Sequence, residues 1–173
     1  MIFGISTSAY TLLHVVISLI GIGSGFVVLY GLLNARRLDR WTALFLVTTT
    51  ATSLTGFGFP FHHLLPSHKV GMLSLVVLAV AGLARYAFRL SGPWRWIYVV
   101  TAQLALYLNV FVLVFQAFEK VPALKALAPT QSEAPFLIAQ LLVLAAFVVL
   151  TIAAIRRFRV DRAIVAAALR KAS

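Results

Sequence analysis

Four histidines are the side chains of this chain best suited to chemistry: His14, His62, His63 and His68. Imidazole is the commonest protein ligand for metals, binds haem iron and titrates near neutral pH. His14 stands near the start of the first long apolar run. The other three flank the turn between the second and third runs. If successive runs cross a bilayer in alternate directions, all four imidazoles meet at one end. Three uses fit such a cluster. Two neutral imidazoles on facing helices ligate one b-type haem, with His14 paired to His68 or to His63. His14, His63 and His68 hold a divalent metal such as zinc or copper, with Glu119 as a further oxygen donor. A quinone headgroup is hydrogen-bonded by histidine and glutamine between aromatic walls. Against these stands a plain structural use, because a histidine at a membrane interface often serves only as an amphipathic anchor. His62 and His63 are neighbours and cannot share a helical face. No pair has the spacing of a zinc-binding HExxH helix.

Helices must carry these side chains. The 173 residues are 62% hydrophobic and include only four acids. That composition leaves too little polar surface to cover a soluble core. A hydrocarbon layer of about 30 Å needs roughly 20 apolar residues per helix. Five runs qualify, at about 10–33, 41–60, 69–90, 95–118 and 134–156, with 157–173 as a tail. The expected fold is all-α: a single transmembrane domain, 1–173, of five spans. Twelve of the fifteen cations fall in alternate loops and the tail, among them Arg36, Arg37, Arg40, Arg89, Arg95, Arg156 and Arg157. This positive-inside pattern places the N-terminus outside and the C-terminus in the cytoplasm. Trp41, Trp94 and Trp96 fall at the same inner interface, where an aromatic belt belongs. The net charge of +11 is therefore topological, and nucleic acid is not a partner.

There is no cysteine, so disulfides and iron–sulfur clusters are excluded. No acid lies inside a span, which argues against ion-coupled transport. No nucleophile elbow and no nucleotide loop is present, so no catalytic residues are assigned. Polar side chains do cluster by depth. Asn109, Gln116 and Gln140, with the histidines, suggest a polar pocket open to the outer side and capped by the turn 57–69. Gly21 and Gly25 share a stripe with His14, and small residues let another backbone or a flat ligand approach. Gly71, Gly82 and the threonines of the second run are further packing positions. Arg85 and Arg89 are expected to snorkel to headgroups. Segment 160–169 has the pattern of an interfacial amphipathic helix.

Two stretches carry a resemblance: Thr55-Gly56-Phe57-Gly58-Phe59-Pro60 with Leu65-Pro66-Ser67-His68, and Pro122 through Glu133, PALKALAPTQSE. They resemble a group of small, uncharacterised inner-membrane proteins of Gram-negative bacteria. The resemblance implies a bacterial inner-membrane, multi-pass location and no activity. The chain is also loosely similar to membrane b-type cytochromes, which place histidines on facing helices beside glycines. It departs from their two histidine pairs at two depths, so one haem is the most it implies. Two other functions remain open. One is an accessory subunit of a larger membrane complex, or a homo-oligomer. The other is a carrier of a small neutral or lipid-like molecule.

Overall fold

The computed structural model describes residues 4–59 and 66–158. His62, His63 and the segment 160–169 lie outside the described residues. Six α-helices follow one another: α1 Thr7–Leu33, α2 Asp39–Gly56, α3 Pro66–Gly82, α4 Trp94–Lys120, α5 Pro122–Leu127 and α6 Ala134–Arg157. A π-helical turn, Leu83–Ala87, extends α3. No strand occurs among the described residues.

The helix limits follow local chemistry. Ser6 caps α1 by accepting the Ala9 N–H at 3.2 Å. Ala35, with φ of 53°, turns the chain out of α1. Pro122 and Pro135 sit in the first turns of α5 and α6, where a missing N–H costs nothing. Among the described residues, four helices are long and apolar enough to cross a membrane: Thr7–Leu33, His68–Ala87, Trp94–Lys120 and Ala134–Arg157. The chain is an all-helical, multi-pass membrane protein. The run expected at 41–60 forms α2, a helix of 18 residues ending at Gly56. Its Asp39, Arg40 and hydroxyl side chains leave it less apolar than the other four. The short α5 was not expected; it lies within the connection 119–133.

α4 is the hub and touches α1, α3, α5 and α6, while α2 lies mainly along α1. The core gathers Val28 and Leu32 of α1, Phe45 of α2, Leu78 and Ala81 of α3, Ala102 and Leu106 of α4, and Phe147 of α6. Two glycines of α1 set its close approach to α2 and α4. A Cβ at Gly21 would lie 3.2 Å from Thr49 Oγ1, and one at Gly25 only 2.6 Å from Leu106 Cδ1. Gly71 likewise receives the Phe57 ring, 3.3 Å from where its Cβ would be. Gly82 differs from expectation, because nothing lies within 4 Å of its Cβ position. Polar pairs then tie the helices. Asn109 Nδ2 donates to Thr49 Oγ1 at 3.3 Å, and the Ser53 and Ser74 hydroxyls bond at 3.1 Å.

The basic end of the bundle is built differently from the snorkelling arrangement expected for Arg85. The π-helical turn admits an extra residue and brings Arg85 inward. The guanidinium is buried, pairs with Asp39 of α2 and lies over the Tyr98 ring, 5.2 Å from its centroid. Tyr98 in turn donates to Thr42 Oγ1 at 3.4 Å. Phe88 stacks on Trp94 at 3.8 Å, closing the turn into α4.

At the opposite end, Glu133 precedes α6 and gathers the connecting loop. Its Oε1 accepts from Thr130 N–H at 3.1 Å and Thr130 Oγ1 at 2.9 Å, and its Oε2 accepts from Ser132 N–H at 3.1 Å. Desolvation is the largest single influence and pushes the carboxyl up, but the bonds from Thr130 and Ser132 together with the Glu133 backbone outweigh it and hold Glu133 below its ordinary value. A depressed carboxylate pKa means these contacts are complete above the ordinary value and fail as pH falls through the lowered one. A carbon-13 NMR titration should therefore find the Glu133 midpoint below the usual glutamate range. Thr130→Val should move it back up; an ordinary midpoint in the unaltered protein would refute the assignment.

Candidate functional site

The first turns of α1 and the last turn of α2 form a small polar clamp. Tyr10 and His14 are four residues apart and share a helical face. Both reach Thr55. The Tyr10 hydroxyl donates to the Thr55 carbonyl at 2.7 Å, and His14 Nδ1 meets Thr55 Oγ1 at 2.8 Å. Phe59 stands edge-on to both rings, with centroids at 5.1 Å from Tyr10 and 5.3 Å from His14.

Hydrogen accounting sets the tautomer. The Thr55 hydroxyl has one proton and lies 2.7 Å from the Ala51 carbonyl, which can only accept. Thr55 Oγ1 is then an acceptor toward the ring, so His14 Nδ1 carries the proton. A neutral imidazole protonated at Nδ1 leaves the Nε2 lone pair to accept a further hydrogen bond. Beside the clamp, α1 presents Leu12, Leu13, Val16 and Leu19 outward, where the bilayer would be.

His68 is the second histidine at this end. It is buried, and its ring lies 5.5 Å from that of Phe57. The segment following α2 therefore supports both imidazoles, Phe59 against His14 and Phe57 against His68. His63 and His62 fall outside the described residues. The other expected members of the pocket do not gather here. Asn109 is taken by Thr49. Gln140 is buried on α6 and donates from Nε2 to the Phe111 carbonyl at 3.2 Å, tying α6 to α4. Gln116 is exposed.

The haem reading can be set against this geometry, while the expected metal set includes His63, which lies outside the described residues. A porphyrin beside His14 needs the space along Gly21 and Gly25. Thr48, Thr49, Phe45 and Leu106 fill that space, so the glycine stripe packs helices and does not fit a haem. Among the described residues, no three of His, Cys, Asp and Glu stand close enough to hold a metal ion. The residues that sequence reasoning missed are Tyr10 and Thr55. The spacing of Tyr10 from His14 could have found the first. Thr55 is hidden among the threonines of α2, and only packing selects it.

No family model matches this chain, and neither a curated protein nor a solved structure matches it.

Proposed function

We propose that this is a non-catalytic inner-membrane protein of five spans, N-terminus outside and C-terminus in the cytoplasm, that binds the polar head of a lipid-soluble molecule at His14. The alternation of basic loops and the tryptophans beside them support the orientation. α2 supports the fifth span: its 18 residues reach about 27 Å at about 1.5 Å each. The observation that carries the ligand reading is the second ring nitrogen of His14, which has no partner among the described residues. Its Nδ1 is committed to Thr55, its Nε2 can receive an O–H, and aromatic edges flank it beside a lipid-facing helix surface. A hydroquinone supplies such an O–H on a flat ring and approaches from the bilayer, without an aqueous entrance.

The bare outer face of α6 is what lipid contact requires by itself, so it does not favour a partner subunit. The test is binding of a short-tailed hydroquinone to the protein in detergent, followed by fluorescence or by mass spectrometry of retained ligand. His14→Ala should weaken binding about tenfold, the scale of one lost hydrogen bond to a desolvated group. Thr55→Val should weaken it less, by releasing the tautomer while leaving the ring in place. Equal binding by His14→Ala would refute the site.

A further inference from the structure

The stretch 119–133 is not used by the His14 site, yet among the described residues it is an elaborately built connection. α5 turns back across the end of α4, and none of its residues is buried. Phe118 packs edge-on against Phe136 at 5.4 Å and, with buried Ala128, makes a firm floor. Gln131 adopts a left-handed φ of 59° and donates from Nε2 to the Phe115 carbonyl at 3.1 Å. A non-glycine residue in that conformation is uncommon and is held by its surroundings. Between these parts lies a half-open depression of about 260 Å³, lined by Phe115, Phe118, Glu119, Lys125, Thr130 and Gln131.

Its lining combines one cation, one anion and two aromatic rings. Glu119 is half exposed and its neighbour Lys120 lies 3.7 Å away, an exposed contact that a ligand can exchange at little cost. The level is equally informative. The depression joins the end of α4 to the start of α6, two helices of membrane-spanning length, so it sits where headgroups lie. Val121 and Leu127 are exposed around it, as an interfacial segment requires. From this charge pair at this level we propose that the depression binds a phosphate–ammonium zwitterion: the aminoethyl-phosphate headgroup of a phospholipid, its phosphate on Lys125 and its ammonium on Glu119. The volume suits a headgroup, while the acyl chains would run down the exposed apolar surface of α6. The site is independent of His14 and of which side faces out.

The test uses the full chain in detergent. Dihexanoyl phosphatidylethanolamine, dihexanoyl phosphatidylglycerol and free phosphoethanolamine are titrated separately, and the amide shifts of Thr130 and Gln131 are followed by NMR. The zwitterionic lipid should bind roughly two- to fivefold more tightly than phosphatidylglycerol, the scale of one partly exposed charge pair. Glu119→Lys should lose that margin, and the double reversal Glu119→Lys with Lys125→Glu should restore it. Lys125 is exposed and Glu119 half exposed, so water can solvate the reversed charges. Equal affinity for the two lipids, or indifference to the reversals, would overturn the proposal. Tighter or equal binding of free phosphoethanolamine would overturn the lipid assignment in favour of a soluble zwitterion.

Discussion

Asp39→Ala should destabilise the bundle by about 1–3 kcal/mol, more than most substitutions at a position so exposed. Asp39 is 78% exposed, but its partner Arg85 is only 7% exposed in its side chain. Removing the carboxylate leaves a guanidinium folded over Tyr98 without its counter-charge. Breaking a fully buried pair from one side costs about 3–5 kcal/mol, and the access of water to Asp39 reduces that figure. Asp39 also opens α2, where a negative charge favours the helix N-terminus. The asymmetry between the partners is the sharper test. Arg85→Leu leaves behind a carboxylate that water can solvate, so it should cost less than Asp39→Ala. Unfolding in mixed detergent micelles measures both. Equal small losses would mean that the pair is an ordinary surface contact.

Gly25→Val should be at least as damaging, because its neighbours cannot retreat. The first added carbon would lie 2.6 Å from Leu106 Cδ1 and 2.9 Å from the Phe45 ring. Those residues are 0% and 1% exposed. Overfilling such a position costs about 1–3 kcal/mol for a modest insertion, and the branched side chain adds two more methyls. Gly23 provides the control two residues away. Nothing lies within 4 Å of its Cβ position, so Gly23→Ala should be neutral or slightly favourable. A thermal unfolding comparison decides it. If both variants behave alike, the close approach of α1 to α2 and α4 is not a constraint on stability.

Hydropathy located the long helices to within a few residues, because a spanning helix must satisfy its backbone internally and present apolar side chains over a set length. α2 was legible only as an apolar run, and its end was placed four residues too late. Glycines at 56 and 58 are compatible with either limit until packing chooses. Arg85 shows a deeper limit. Its burial depends on a π-helical turn, and a period of 3.6 residues carries no sign of the inserted one. Gln116 shows another. It shares a helical face with Asn109, seven residues before it, but that face meets α2 only as far as α2 extends. Seven residues beyond the Asn109–Thr49 pair, Gln116 is level with Gly56, where α2 ends. His14 was legible as a candidate from its type and depth. What it touches was not, since its partners come from forty-odd residues away, at Thr55 and Phe59.

The layer formed by Gly25, Phe45 and Leu106 divides the polar contacts of α2 into two groups. Hydroxyl-bearing contacts occur on both sides of it along α2, Thr42 with Tyr98 toward one end and Thr49 with Asn109 toward the other. Thr42 and Thr49 are about 10 Å apart along the helix axis at about 1.5 Å per residue. Between them Gly25, Phe45 and Leu106 pack closely, with the buried amide of Gln103 nearby on α4. A substitution that loosens this layer therefore reaches two groups of interhelical hydrogen bonds at once.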